Sequence, residues 1–184
     1  MDYYIDIKIM PDAEMRENVL LNKVYTKLHK ALVLLKSTEI GVSFPKCKLK
    51  LGNMLRIHGH EKGLETLQEL NWLGGLKGYC IVSSLQCVPT NEVKHRTISR
   101  KQANMTQAKL RRLLKRGSIS TADAKEYKTK MFKQGLNNPY LELVSGSTGK
   151  KHRRYLVFGD LLEQAKEGCF DHFGLSKNAT IPWF

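Results

Sequence analysis

The stretch Tyr3-Tyr-Ile-Asp-Ile-Lys-Ile9 alternates polar and apolar side chains, which predicts a strand with one buried face. Pro11-Asp12 follows, and this pair predicts a turn with Asp12 as a helix N-cap. The next apolar residues recur at spacings of three and four, which indicates a helix of roughly twenty residues with one apolar stripe facing a sheet. They are Leu20, Val24, Leu28, Ala31 and Leu35.

Three further strands and a second helix are predicted before Pro89. The strands cover residues 40–44, 54–58 and 79–88, and the helix covers residues 62–70. The resulting order, βαββαβ, is that of a ferredoxin-like domain, an arrangement that RNA-recognition modules also use. These strands lack the aromatic pattern with which such modules stack bases. RNA binding by the sheet face is therefore not predicted.

Positive charge is concentrated in the second half of the chain. Residues 1–92 hold 12 Lys and Arg against 10 Asp and Glu, whereas residues 93–184 hold 19 against 7. The excess is therefore +2 in one half and +12 in the other, which predicts two domains with these bounds, a nearly neutral scaffold and a polyanion-binding half. Residues 93–122 contain no Asp or Glu at all. A phosphate backbone is the expected partner of the cationic half.

The cationic half is predicted to be an α/β domain that carries an arginine-rich helix. A basic arm at residues 94–101 precedes this helix, which covers residues 103–116 and ends at Gly117. The helix has leucines on one face and cations on another; the alternative to nucleic-acid binding is a solvated cationic helix. The chain as a whole is thus expected to be α+β. The remaining predicted elements are a helix at 120–132 and strands at Tyr140–Val144 and 152–158 around a loop of small residues.

Several side chains of this half are candidates for contacts with nucleic acid. Arg100 and Gln102 are candidate base readers, because arginine can form a bidentate pair with guanine and glutamine with adenine. The hydroxyls of Ser145, Ser147 and Thr148 precede further cations in a composition suited to cradling a phosphate, and the alternative is an ordinary turn. The cations predicted to contact phosphates are Lys109, Arg111, Arg112, Lys115, Arg116 and Arg153.

No residue pattern indicates a cofactor, a membrane span or a disulfide framework. The N-terminal residues carry charges and lack the apolar core of a signal peptide, so we expect a cytoplasmic protein. His58 and His60 are two apart on a predicted strand and could face one side as metal ligands, but spacing places no third ligand. We therefore expect neither a metal nor a cofactor. Reduced thiols are expected at the four scattered cysteines, Cys47, Cys80, Cys87 and Cys169.

A set of short motifs covers nearly the whole chain. They are Met1-Asp-Tyr-Tyr-Ile-Asp-Ile-Lys8, Lys27-Leu-His-Lys-Ala-Leu32, Ile40-Gly-Val-Ser-Phe-Pro45, Leu55-Arg-Ile-His58, Ser99-Arg-Lys-Gln-Ala103, Leu110-Arg-Arg112, Ser147-Thr-Gly149, Phe173-Gly-Leu-Ser-Lys177 and Pro182-Trp-Phe184. In this order they resemble the landmarks of the CRISPR repeat-cleaving endoribonucleases of type I-F systems. Each motif is weak alone, whereas the ordered set is specific.

The resemblance implies a ferredoxin-like N-terminal domain and a C-terminal domain whose arginine-rich helix enters the major groove of a repeat-RNA hairpin. It implies that Arg100 and Gln102 read bases and that Arg112 and Arg116 contact phosphates. It also implies metal-independent cleavage below the stem, in which the RNA's own 2′-hydroxyl attacks the neighbouring phosphate. The hairpin product would be retained with other subunits of a type I-F effector ribonucleoprotein.

The resemblance also assigns catalytic positions. His29 takes the place of the catalytic histidine and would act as general base on the 2′-hydroxyl. Ser145 matches the active-site serine, which would hold or orient that hydroxyl. Ser147 and Thr148 match residues that position RNA.

Two positions depart from the family pattern. Phe173, which the resemblance places among the RNA-binding residues, stands where the better-known members have a tyrosine, so this ring lacks the hydroxyl. His152 stands where they have an aromatic residue that stacks beneath the stem. An imidazole can still stack on a base, which we favour over a part in proton transfer.

Two other functions are compatible with the sequence. A catalytically inactive subunit could cap a hairpin with the same arginines, although the presence of both His29 and Ser145 argues against it. A DNA-binding regulator could use the basic helix, and it would bind duplex DNA without cutting it. Our main hypothesis is a hairpin-specific endoribonuclease that processes CRISPR precursor RNA.

Overall fold

The computed structural model describes residues 1–101, 107–133, 138–146 and 148–184. It is a mixed α/β structure that contains antiparallel sheets. Within the described residues, every helix is too short or too polar to span a bilayer. In chain order the elements are β1 (Tyr3–Ile9), α1 (Glu17–Leu35), β2 (Gly41–Ser43), β3 (Met54–Gly59), α2 (Glu61–Glu69), a 3-10 helix (Gly74–Tyr79), β4 (Cys80–Val82), β5 (Gln86–Cys87), β6 (Lys94–Arg96), β7 (Ile98–Lys101), α3 (Gln107–Lys115), α4 (Thr121–Lys133), β8 (Tyr140–Val144), β9 (Lys151–Phe158) and β10 (Ile181–Trp183).

The first sheet has the strand order β2-β3-β1-β4, and β5 also pairs with β1. The predicted alternation of β1 is confirmed, because Ile5, Ile7 and Ile9 are buried while the side chains between them are not. Helices α1 and α2 contact this sheet and each other. Each fully buried leucine or isoleucine stabilises the fold by roughly 1.5–3 kcal/mol. The apolar stripe of α1 supplies Leu20, Leu21, Val24, Tyr25, Leu28, Ala31 and Leu32 to the core.

Two local predictions about the first sheet are wrong. Asp12 is not the N-cap of α1, because its Oδ1 accepts the main-chain N–H groups of Glu14 and Met15 in a separate turn. The helix begins later, at Glu17. The predicted strand at 79–88 is split into β4 and β5. Between them, the side chain of Ser83, rather than a main-chain oxygen, accepts a hydrogen bond from β1. Its Oγ accepts the N–H of Asp6 at 2.9 Å.

The predicted basic arm at 94–101 consists instead of two strands. β6 pairs with β10, and β7 belongs to a three-stranded sheet with the order β7-β9-β8. Arg96 is used for packing: its guanidinium lies over the rings of Phe158 and Trp183 and donates to the main-chain oxygen of Gly159. The partners of both strands are distant in sequence, so local composition could not reveal them.

The chain forms two compact units. One consists of Met1–Arg100 and Pro139–Phe184, and the other of Lys101–Asn138. The predicted division at residue 92 follows charge rather than compactness and stays a prediction. In the second unit, α3 ends as predicted at Gly117, which has φ +68°. Its N–H and that of Ser118 donate to the main-chain oxygens of Leu114 and Leu113, the pattern of a Schellman cap. Residues 102–106, the predicted start of this helix, lie outside the described residues.

Candidate catalytic site and basic helix

His29 lies on α1 beside the core-facing stripe and is half-buried. Its Nδ1 is 2.8 Å from the main-chain oxygen of His172. A carbonyl oxygen can only accept, so Nδ1 carries the hydrogen of this bond. In the neutral imidazole, Nε2 is then the acceptor nitrogen. The helix and the hydrogen bond together set the orientation of a potential proton acceptor.

The imidazole of His29 stacks on the ring of Phe173. The ring centroids are 3.6 Å apart and the planes differ by 9°. The structure therefore brings together two of the residues that sequence analysis singled out separately. These contacts of Phe173 lie within the protein, and its predicted contact with RNA stays a prediction.

The chain around Phe173 is held by specific hydrogen bonds. Oδ1 of Asp171 accepts the N–H groups of Phe173 and Leu175 at 2.9 and 3.0 Å. The hydroxyl of Tyr25 donates to the main-chain oxygen of Phe173 at 2.6 Å. Complete burial raises the pKa of Tyr25, so this phenol remains a donor. The stacked ring is thus fixed through its main chain as well as through its face.

Gly174 allows this segment to approach β2. Its φ is +68°, and a Cβ atom there would lie 2.7 Å from Cγ1 of Val42. Its main-chain oxygen accepts the N–H of Val42 at 3.0 Å. Only glycine combines this φ with so close an approach. The position of Phe173 therefore depends on the residue that follows it.

Arg154 covers the ring of Phe173, with its Cζ 3.5 Å from the ring centroid. Two groups this close to one centroid must lie on opposite faces, so Phe173 is sandwiched between the imidazole of His29 and the guanidinium. Burial lowers the pKa of Arg154; Tyr25 and Asp171 act in the opposite direction, and the neighbouring charge of Arg100 lowers it further. Sequence analysis counted Arg154 only as one of several cations. The missed signal was its position on the strand, two residues from His152 and from the apolar Leu156.

β9 separates the two candidate RNA-binding residues that it carries. His152 is half-buried and shares a strand face with Arg154. Arg153 points the opposite way, where its Cζ lies 4.5 Å from the ring centroid of Tyr140 and its Nε 3.7 Å from Oε2 of Glu142. The structure thus groups His152, but not Arg153, with the strand face that bears Arg154.

The loop after β8 is organised around Ser145, which is half-buried. Its Oγ accepts the N–H of Thr148 at 3.3 Å, and its main-chain oxygen accepts the N–H of Gly149 at 2.9 Å. Gly149 has φ +65°. These bonds form a tight turn, which holds the serine hydroxyl in place. Ser147 lies outside the described residues, and the catalytic role of Ser145 stays a prediction.

The basic helix α3 shows the predicted division into two faces only in part, because Leu114, expected on the packed face, is exposed. Leu110 is buried, whereas the candidate phosphate contacts are exposed: Lys109, Arg111, Arg112, Lys115 and Arg116. Of the candidate base readers, Arg100 is exposed near the end of β7. Gln102 lies outside the described residues.

His58 and His60 do not face one side. His58 is fully buried on β3, with its Nε2 2.8 Å from Oγ of Ser43, and burial lowers its pKa to about 3. His60 follows the strand and lies exposed at the start of α2. Among the described residues, no group of three or more His, Cys, Asp or Glu side chains could hold a metal ion.

Comparison with known proteins adds independent information. A family model described as CRISPR-associated protein (Cas_Csy4) matches residues 4–184. Two relatives named CRISPR-associated endonuclease Cas6/Csy4, from Escherichia coli (strain UTI89 / UPEC) and Pseudomonas aeruginosa (strain UCBPP-PA14), are each 36% identical, with 100% of both chains covered. A solved structure of CRISPR endoribonuclease Cse3 bound to 19 nt RNA covers 100% of both chains at 13% identity, with a TM-score of only 0.41.

Proposed function

Because this chain belongs to the Cas_Csy4 family of CRISPR-associated proteins, we propose that it is an endoribonuclease that cleaves CRISPR precursor RNA at the base of the repeat hairpin. The observation that carries the proposal is the oriented imidazole of His29. Its Nδ1 is committed to the main-chain oxygen of His172 and its face to Phe173. This leaves Nε2 as the nitrogen that can accept a proton.

The proposed reaction uses a nucleophile that the RNA itself supplies. Nε2 of His29 takes the proton of the 2′-hydroxyl while the 2′-oxygen forms a bond to the adjacent phosphorus. The bond from phosphorus to the 5′-oxygen breaks, and this oxygen receives a proton from the imidazolium or from water. The products are a 2′,3′-cyclic phosphate and a 5′-hydroxyl. Since an imidazole and the RNA supply every reacting group, we propose that the reaction needs no metal.

The remaining site residues are proposed to position the RNA. Ser145 would orient the 2′-hydroxyl, which its hydrogen-bonded turn supports. Ser147 and Thr148 would contact the RNA nearby. His152 would stack beneath the stem. Full cleavage by His152→Phe together with lost binding by His152→Ala would support stacking, whereas lost cleavage in both variants with RNA binding retained would favour proton transfer.

The hairpin stem is proposed to bind the basic half of the chain. The exposed cations of α3 support phosphate contacts, and Arg100 with Gln102 would read bases. Arg153 would add a further phosphate contact. An A-form major groove is normally too deep and narrow for side chains, so the helix would enter near the end of a short stem.

We further infer that residues 1–92 form a ferredoxin-like domain and residues 93–184 the RNA-binding domain. The strand order β2-β3-β1-β4 supports the first inference, because it interleaves the two βαβ halves with antiparallel neighbours. The asymmetry of charge supports the second.

We also propose that the protein acts in the cytoplasm and keeps its hairpin product within a type I-F effector ribonucleoprotein.

The deciding experiment uses a labelled type I-F repeat hairpin in EDTA. Wild-type protein, His29→Ala and the matched control His60→Ala, which changes an exposed histidine on another helix, are compared on this RNA and on RNA with a 2′-deoxy sugar at the cut site. We expect wild type and His60→Ala to cut only the ribose substrate, and His29→Ala to bind without cutting.

Other outcomes would reject the proposal. Tight binding without cutting by wild type would identify a hairpin-capping subunit. Cutting of the 2′-deoxy RNA would exclude the 2′-hydroxyl as nucleophile. Tighter binding to duplex DNA than to the hairpin would favour a DNA-binding regulator.

A further inference from the structure

Although the negative charge of Asp171 acts on it, Arg154 is a buried cation that makes no close ion pair with a carboxylate of the described residues. The residue is 6% exposed, and its Nε is buried with no hydrogen-bond partner among those residues. Removing a guanidinium from water without pairing it is costly. The free protein therefore keeps this charge at an energetic cost, which the ring of Phe173 and the charge of Asp171 offset only in part.

Packing does not explain why an arginine occupies this position. In the β8–β9 register Arg154 lies opposite Leu141, and the next residues on the same faces are Leu143 and Leu156, all of which are buried. An apolar side chain of similar volume would suit such surroundings, and replacing buried charges in this way is often neutral or stabilising. Packing against these three leucines thus does not require the charge.

The guanidinium is also close to the proposed chemistry. The ring of Phe173 lies between the guanidinium and the imidazole of His29: its centroid is 3.5 Å from Cζ of Arg154 and 3.6 Å from the centroid of the imidazole. In a near-attack conformer the 2′-oxygen lies about 3 Å from phosphorus. When the ribose 2′-hydroxyl contacts Nε2 of His29, a non-bridging oxygen of the adjacent phosphate can therefore reach past the edge of the Phe173 ring to the guanidinium. Arg100 adds a second positive charge to the surroundings of Arg154.

We propose that Arg154 is a further catalytic residue, which donates hydrogen bonds to a non-bridging oxygen of the scissile phosphate. This inference rests on the proposed function. The negative charge on the phosphoryl oxygens increases as the 2′-oxygen bonds to phosphorus, so a fixed donor stabilises the transition state more than the ground state. The RNA would supply the anion that pairs with the guanidinium.

The test compares Arg154→Met with wild type in single-turnover cleavage of the repeat hairpin. Methionine can still cover the ring of Phe173 but carries no charge. We expect the cleavage rate to fall about 100-fold, the effect of removing one donor to a developing oxyanion. Affinity for the uncleavable 2′-deoxy hairpin should fall much less, and the unfolding midpoint should stay equal or rise, because an unpaired buried charge has been removed.

Two further variants keep the test decisive. Lys8→Met, on the exposed side of β1, removes one positive charge far along the sequence from the site and should cleave as wild type does. Arg154→Ala should be slow, and millimolar guanidinium in solution should restore part of its rate but none of the rate of His29→Ala. This rescue separates contact with the phosphate from support of the Phe173 ring.

Two results would overturn the assignment. Cleavage by Arg154→Met within about threefold of wild type would show that the charge does not act in the reaction. Slow cleavage by Arg154→Ala without any rescue by guanidinium would assign Arg154 to packing alone. If wild type cuts and His29→Ala does not, either result removes only the role of Arg154. Failure of wild type to cut would instead remove the proposed function.

Discussion

Phe173 joins the packing of the site to its proposed chemistry. Its ring has the imidazole of His29 on one face and the guanidinium of Arg154 on the other, and its main-chain oxygen accepts from Tyr25. None of these contacts requires a hydroxyl on the ring. The departure from tyrosine therefore leaves the support of the imidazole unchanged and removes only a polar group.

Substitution of Gly174 by alanine should disturb this support. The residue has φ +68° and would bring Cβ within 2.7 Å of Val42. We expect Gly174→Ala to lose about 1–3 kcal/mol of unfolding free energy and to cut at least about tenfold more slowly, because Phe173 shifts. Denaturant unfolding and single-turnover cleavage measure the two effects. The matched control is Gly63→Ala on α2, where nothing lies within 4 Å of the added Cβ; equal losses in both variants would contradict the prediction.

The buried imidazole of His58 should make the protein sensitive to acid. Burial lowers its pKa to about 3, whereas an unfolded histidine has its pKa near 6.5. Below about pH 6.5 the unfolded state binds a proton that the folded state does not, so the stability contributed by neutral His58 is present above that pH and is lost as the pH falls towards 3.

The variant His58→Gln can keep a hydrogen bond to Ser43 without a titrating group. We expect its unfolding free energy to fall less steeply than that of wild type between pH 6.5 and pH 4. Parallel curves from urea unfolding at several pH values would show that His58 titrates normally. His60→Gln serves as control, because His60 is exposed.

Strand β9 and helix α3 differ in which of their charged side chains are buried. In β9 the alternation of the strand buries Arg154 and Leu156 while Arg153 remains exposed. In α3 the helical period buries Leu110 and exposes the cations around it. Sequence analysis separated the faces of the helix in part, but it did not separate those of the strand. The burial of a single arginine within a cationic strand depends on the residues packed against it.

The cations of α3 should determine how RNA affinity depends on salt. Removal of one cation that binds a phosphate should reduce the slope of log affinity against log salt concentration by roughly 0.7–1. We expect this reduction for Arg111→Gln, measured with the uncleavable 2′-deoxy hairpin from low to high salt. Lys62→Gln, an exposed cation on α2, should leave the slope unchanged. An unchanged slope for Arg111→Gln would show that Arg111 does not bind a phosphate.

The whole chain combines a sheet-based unit, Met1–Arg100 with Pro139–Phe184, and a helical unit, Lys101–Asn138. The unit that contains His29 also contains Ser145, His152, Arg154 and Phe173. Most of the candidate phosphate contacts lie in the helical unit. The family match covers both units, since it runs over residues 4–184.

A protein with so many potential phosphate contacts should release its hairpin product slowly. With RNA in excess, we expect a burst of cleavage close to one product per protein, followed by a much slower phase. Raising the salt concentration should accelerate the slow phase, because phosphate contacts weaken. Rapid multiple turnover at low salt would contradict product retention.

The amino-acid sequence alone was enough to predict features that depend on neighbouring residues. The alternation of Tyr3–Ile9, the apolar stripe of α1 and the end of α3 at Gly117 all agree with the structure. Helical hydrogen bonds join residues four apart and strand alternation has a period of two, so both are visible in a short stretch of sequence. The match of motifs to a family likewise needs only their order.

Only the tertiary structure decided which distant residues meet. The main-chain N–H of Asp6 donates to the side chain of Ser83, where an unbroken strand was predicted. Strand β6 pairs with β10, where a basic arm was predicted. The sandwich of His29, Phe173 and Arg154 joins α1, a loop near the end of the chain and β9. Such contacts depend on the simultaneous packing of many elements, and no local pattern contains that information. For this reason the sequence predicted His29 through its family position, whereas the buried Arg154 on the other face of Phe173 became visible only in the fold.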